Sequence, residues 1–188
     1  MPISSLEALN LFEQEEMDAF LRVLKAVSSE DIPSLVSSFF NKFSGLEPLE
    51  VYLFFIIQNM REFSFNTLLN KHPSLFKSSD KVDRWVEKLV KWRNDVKEND
   101  QNDIRFLIEK ICKEFFDEQE EKGKLISSSE ILNTVLMLLE RQKNKNPNIT
   151  FNEFVLYLEK LKLYGENVPL IINSKDGIKV LTMHSSKG

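Results

Sequence analysis

Five segments of the chain repeat apolar residues at steps of three and four, the spacing that aligns one face of an α-helix. Met17, Phe20, Leu21, Leu24 and Val27 make one stripe. Val82, Trp85, Val86, Leu89, Trp92 and Val96 make another, with Lys81, Glu87, Lys88, Lys91 and Asp95 turned away. Ile104, Leu107, Ile108, Ile111 and Phe115 give a third, Ile131, Leu132, Val135, Leu138 and Leu139 a fourth, and Phe151, Phe154, Val155, Leu158 and Leu161 a fifth. A helix with one apolar face has to bury it against another, so the pattern predicts amphipathic helices sharing a core. Only 5 glycines and 6 prolines occur in 188 residues, too few for the turns that a sandwich or barrel of this length needs. The expected fold class is all-α, an irregular multi-helix domain.

Helix ends are also written in the sequence. Ser127-x-x-Glu130 and Thr150-x-x-Glu153 are capping boxes ahead of apolar runs, in which each side chain satisfies a backbone N–H that the helix leaves unpaired. Pro33 and Pro48 stand where a first helical turn has no hydrogen bond to lose. Breaks fall at 28–31, 43–47, 72–74, 98–102, 120–129 and 143–148, lengths of loops rather than interdomain linkers. No fixed-period self-similarity supports an array of helical repeats.

Charge and composition narrow the function. The 25 Lys+Arg against 29 Asp+Glu leave a formal charge of −4, which opposes sequence-blind attraction of the whole surface to DNA. No basic patch stands out along the sequence, so nucleic-acid contact is expected to be local, and binding by the chain alone weak and salt-sensitive. At 42% hydrophobic and 29% charged, the chain is neither disordered nor fibrous. Its longest apolar stretches, Leu53 to Ile57 and Val135 to Leu139, fall far below the roughly 20 residues that span a bilayer. Met1 to Glu7 lacks a basic stretch followed by an apolar one. No membrane contact is expected, and a cytoplasmic location is.

Several single residues invite a chemical role and receive a structural one. Cys112, the single cysteine, lies among Ile111, Phe115 and Phe116 and reads as a buried small hydrophobe. Two histidines, His72 and His184, lie far apart and make no zinc site; His72, before Pro73, reads as a loop or cap residue. Trp85 and Trp92, seven apart on one stripe, read as core rather than as a base-stacking platform. Asp117-Glu118-Gln119-Glu120-Glu121 reads as a solvated helix end rather than a two-carboxylate centre.

The pattern changes after Tyr164-Gly165. Gly165 to Pro169 ends the last helix, Leu170 to Ile172 is extended and Asp176-Gly177 marks a turn. The β-branched alternation of Ile178 to Met183 then predicts a short C-terminal strand running into a serine-rich loop. A lone strand leaves its edges unpaired, so the chain is expected to be part of a larger molecule that supplies the sheet. The expected division is a helical unit over 1–165 and a return segment over 166–188.

The residues from Gly177 to Gly188 run hydrophobic strand, then Thr182-x-His184-x-x-Lys187-Gly188. This closely resembles motif V of the superfamily 1 DNA helicases of the UvrD/Rep/RecB type, where Leu-Glu-Phe follows the glycine and its glutamate lies near the nucleotide ribose. The resemblance puts residues 1 to about 165 at the mostly helical 2B insertion of that family, and 166–188 in the return to its second RecA-like domain, 2A. Ser4 to Phe12, then Glu15-Glu16 and the Leu-rich run to Ala26, resemble the segment after motif IV in RecB and AddA relatives. Leu35 to Leu46 resembles their Ser-rich helix followed by Gly-Leu. UvrD-like members carry Gly-Ile-Gly in this insertion, glycines that let the backbone approach duplex phosphates. Ser44-Gly45-Leu46 has one glycine, which argues against duplex contact through this loop and leans toward the RecB/AddA helicase–nuclease branch.

The resemblance implies an ATP-dependent DNA helicase as parent, moving 3′ to 5′ on single-stranded DNA in repair or recombination. ATP and Mg2+ are its implied cofactors. Single-stranded DNA, a duplex junction and a helicase–nuclease partner subunit are the implied partners. Thr182, His184 and Lys187 are the implied DNA-binding residues, with Ser185, Ser186 and Gly188 as the motif backbone. Physically, a hydroxyl and an imidazole two residues apart at a strand end project to one side and donate to phosphate without reading sequence. The small residues and cation of Ser185 to Gly188 suit an anion-facing turn. No G-x-x-x-x-G-K-[ST] occurs in the chain, so no catalytic, cofactor-binding or metal residue is assigned and the isolated chain is expected not to hydrolyse ATP. Its own role would be regulatory, a module turning against the motor between open and closed states. The alternative is a freestanding helical protein–protein interaction module without enzymatic activity.

Overall fold

Each apolar stripe becomes the buried face of a helix. The computed structural model describes residues 9–29, 31–57, 80–99, 103–116 and 128–171. Among them are seven α-helices: α1 (Glu15–Ser28), α2 (Ile32–Phe39), α3 (Pro48–Ile57), α4 (Asp80–Asn99), α5 (Ile104–Phe116), α6 (Ser128–Lys143) and α7 (Phe151–Leu163). Short 3-10 turns occupy Leu11–Glu13 and Lys42–Ser44. The described residues are mostly helical and contain no strand, in keeping with the all-α expectation. The strand expected over Ile178 to Met183 lies outside the described residues.

Local chemistry starts and stops the helices where the sequence places its signals. At the head of α7, Thr150 Oγ1 accepts from the Glu153 N–H at 3.2 Å while Glu153 Oε2 accepts from the Thr150 N–H at 2.8 Å, a complete capping box. Ser127 of the other expected box lies outside the described residues. Asp31 caps α2 by accepting from the Ser34 N–H at 2.8 Å, with Pro33 in the first turn. The end of α7 is a Schellman motif: Gly165 N–H donates to the Lys162 carbonyl at 3.1 Å and Glu166 N–H to the Leu161 carbonyl at 3.0 Å. Gly165 takes φ 66° there, a left-handed backbone that glycine enters without strain.

Helix α1 lies at the centre, packed against α2, α4, α6 and α7. Its buried set is wider than the predicted stripe, adding Ala19, Val23 and Ala26; the small alanines let neighbouring helices close on more than one side. Helices α5 and α6 pack together, and α4 packs on α5. Trp85 and Trp92 lie in the core, edge to face with ring centres 6.0 Å apart. Buried Arg93 of α4 donates Nη1–H to the Val27 carbonyl, placing a cation on the carbonyl end of α1.

The chain enters and leaves this body side by side. Leu11 N–H donates to the Val168 carbonyl at 2.8 Å and Leu170 N–H to the Leu9 carbonyl at 2.9 Å, around an isolated antiparallel bridge between Asn10 and Pro169. Ile171 N–H donates to Thr134 Oγ1 on α6 at 3.0 Å. Val168 and Leu170 are buried, so residues 166–171 pack back onto the helical unit. Among the described residues no helix is long and apolar enough to cross a membrane.

Candidate functional site

Thr182, His184, Ser185, Ser186, Lys187 and Gly188 lie outside the described residues, as do His72 and the acidic run 117–121. The chemistry that the described surface does assemble is a basic cleft between α4 and the turn at 41–45. Lys81, Arg84, Lys88 and Lys91 line one wall. Their spacing of three, four and three residues keeps them on one face of the helix, opposite the buried stripe of Val82, Trp85, Leu89 and Trp92. The other wall is Phe43, Ser44 and Gly45, and the enclosed volume is about 490 Å³.

That second wall is a built turn. Asn41 Oδ1 accepts from the Phe43 N–H at 2.9 Å, and Ser44 Oγ donates to the Asn41 carbonyl at 2.8 Å. Gly45 closes it with φ 68°, a conformation a side chain would strain. Phe43 is buried and wedges the turn into the core, its ring 5.2 Å from Phe115 and 5.1 Å from Phe116. Trp85, from the other wall, also reaches Phe115, at 6.2 Å. Phe115 thus braces both sides of the cleft and fixes its width.

Electrostatics separate the four cations. Lys91 Nζ pairs with Glu114 Oε1 at 2.9 Å, while Glu114 Oε2 accepts from the Trp92 indole N–H at 2.8 Å. The hydrogen bond to Glu114 pushes the Lys91 ammonium above its ordinary pKa and so holds the charge in place. At Glu114, burial opposes the charge but the Lys91 and Trp92 hydrogen bonds outweigh it, and the carboxyl sits below its usual range. Glu87 is the one carboxylate among the lining side chains. The Trp85 indole N–H is buried and has no acceptor among the described residues.

A second groove, about 770 Å³ between α1 and α7, carries charges that already answer one another. Lys25 meets Glu159 at 2.6 Å, and Asp18 takes both Arg22 and Lys162. Cys112 is buried and burial pushes its thiol up to about 12, which leaves no thiolate near neutral pH. Among the described residues no His, Cys, Asp and Glu group is placed to hold a metal ion.

Compared with protein families, curated proteins and solved structures, the chain matches none. Sequence reasoning turned Lys81, Lys88 and Lys91 outward and marked 43–47 as a loop, but found no basic patch. The signal for one was the basic spacing along α4; what no spacing carries is that the Gly45 turn, far away in the chain, folds up against it.

Proposed function

We propose that this chain is the helical 2B-like insertion, with the return toward motif V, of an ATP-dependent DNA helicase of the UvrD/Rep/RecB type. The observation that carries the reading is the run Thr182-x-His184-x-x-Lys187-Gly188 after a hydrophobic strand pattern. The seam of Leu9 and Leu11 against Val168 and Leu170 supports it, because a domain inserted into a host has to begin and end at one place. In this reading the parent draws on ATP and Mg2+, and this chain contributes no phosphate cradle to them. Thr182, His184 and Lys187 contact single-stranded DNA, and the helical body biases the motor by meeting a duplex junction or a partner subunit. A second reading, a helical protein–protein interaction module, draws support from Leu49 and Tyr52 on α3, which are 66% and 59% exposed.

The deciding experiment is to sequence the coding DNA on both sides of the segment. An upstream phosphate-loop Gly-Lys-Thr and an immediate downstream Leu-Glu-Phe are expected, and a later nuclease motif selects the RecB/AddA branch. A stop codon directly after Gly188 with no motor domain upstream leaves the interaction module. In the parent, His184→Ala is expected to depress DNA-stimulated ATP hydrolysis and unwinding with nucleotide binding nearly intact; unchanged stimulation removes His184 from the DNA contact.

A further inference from the structure

We propose that the cleft between the 41–45 turn and α4 binds the phosphate backbone of duplex nucleic acid through Lys81, Arg84, Lys88 and Lys91, without reading its sequence. The surface as a whole is acidic, with a net charge of −4, yet this wall gathers four cations against one carboxylate. Spread over ten residues of helix, they cover about 15 Å, enough to follow several phosphates of one strand at about 3.4 Å of axis per phosphate. Gly45 is exposed and has no side chain, so the opposite wall admits a strand without obstruction. The Trp85 N–H supplies a donor that nothing described in the protein uses.

The same cleft lacks what a single strand would want. Phe43 and Trp85 are 6% and 3% exposed, so neither offers a ring face for an unstacked base. A duplex keeps its bases stacked within itself and presents only phosphates and sugars, the chemistry that lysine and arginine meet. The contact differs from one made by a glycine-rich loop, because side-chain cations on a helix carry it. The choice of nucleic acid over another polyanion rests on the helicase reading.

The test is fluorescence anisotropy of the 188-residue chain against a labelled DNA duplex, the same strand unpaired, and polyglutamate, each across a salt series. The duplex is expected to bind best. The combined variant Lys81→Gln, Arg84→Gln, Lys88→Gln is expected to lose at least tenfold in affinity and to flatten the salt slope by about 0.9 per phosphate contact removed. A control of equal charge change, Lys143→Gln, Lys145→Gln, Lys160→Gln, is expected to keep both. Lys81→Glu, a single change at an exposed position, gives a smaller loss in the same direction, and circular dichroism confirms that each variant is folded. Equal losses in the cleft and control variants overturn the proposal, as does no duplex binding at low salt. Tighter binding of the single strand overturns it too, and tighter binding of polyglutamate assigns the cleft to an acidic protein. Anisotropy is blind to the flanking genes: a motor domain beside a cleft that does not bind rejects the cleft alone, and a binding cleft with no motor domain rejects the helicase alone.

Discussion

Glu114 ties three side chains together with one carboxylate, and its two oxygens do different work. The bond to exposed Lys91 is screened, so Glu114→Gln, which retains an acceptor for Trp92, is expected to cost under about 1 kcal/mol. Glu114→Ala strands the Trp92 indole N–H in the core and is expected to cost about 1–3 kcal/mol, read from chemical denaturation. Asp18 is a comparable case: burial opposes its charge, but Lys162 and Arg22 outweigh it and hold the pKa below the usual range. A carboxylate lowered in the fold contributes stability that is complete above its unfolded pKa, about 3.9 for Asp and 4.3 for Glu, and is lost as pH falls through the folded value. The Tm is therefore expected to hold from neutral pH to about 5 and to fall below about 4. A Tm unchanged to about pH 3 would show that these pairs add nothing. At this scale the sequence was legible where a residue answers to its neighbours in the chain: the core roles of Cys112, Trp85 and Trp92 follow from their stripes. The roles of Glu114 and Asp18 were hidden because their partners arrive from other helices.

Helices show the same division between local and distant causes. The Thr150 capping box, Pro33, Pro48 and the glycine after Tyr164 act within a few residues of themselves, and each sits at the helix end expected of it. Gly165 isolates one such cause: an added Cβ would meet nothing within 4 Å, so the cost of Gly165→Ala is the left-handed backbone alone, about 1 kcal/mol. Gly165→Asn is expected to cost less, since a short polar side chain tolerates that conformation; equal losses for both in denaturant titrations would place the cost elsewhere. Helix α1 is where periodicity fell short. Its predicted stripe fits a helix with one covered face, whereas four helices converge on it, and alanines that look neutral in sequence become contact points.

Across the whole molecule, the cleft and the seam share an origin in contacts between segments far apart in the chain. Lys81 to Lys91 is visible in the sequence as a solvated face, and Ser44-Gly45 as a loop; Phe115, from a third segment, makes them two walls of one site. Motif V was the reverse, readable in twelve residues and resting on a resemblance. The seam carries a prediction of its own. Ending the chain at Leu163 rather than at Ile171 removes buried Val168 and Leu170 and is expected to lower stability by roughly 3 kcal/mol, measured as a loss in denaturant midpoint; equal midpoints would show the seam to be dispensable. The seam also decides how the body responds to tension. Bonds in an antiparallel pair lie across the strands, so a pull that separates Leu9 from Leu170 opens their bond first and the one between Leu11 and Val168 next, never both together. The helices behind it carry no load until both have gone, which makes the first thing to yield under force a pair of hydrogen bonds rather than the core.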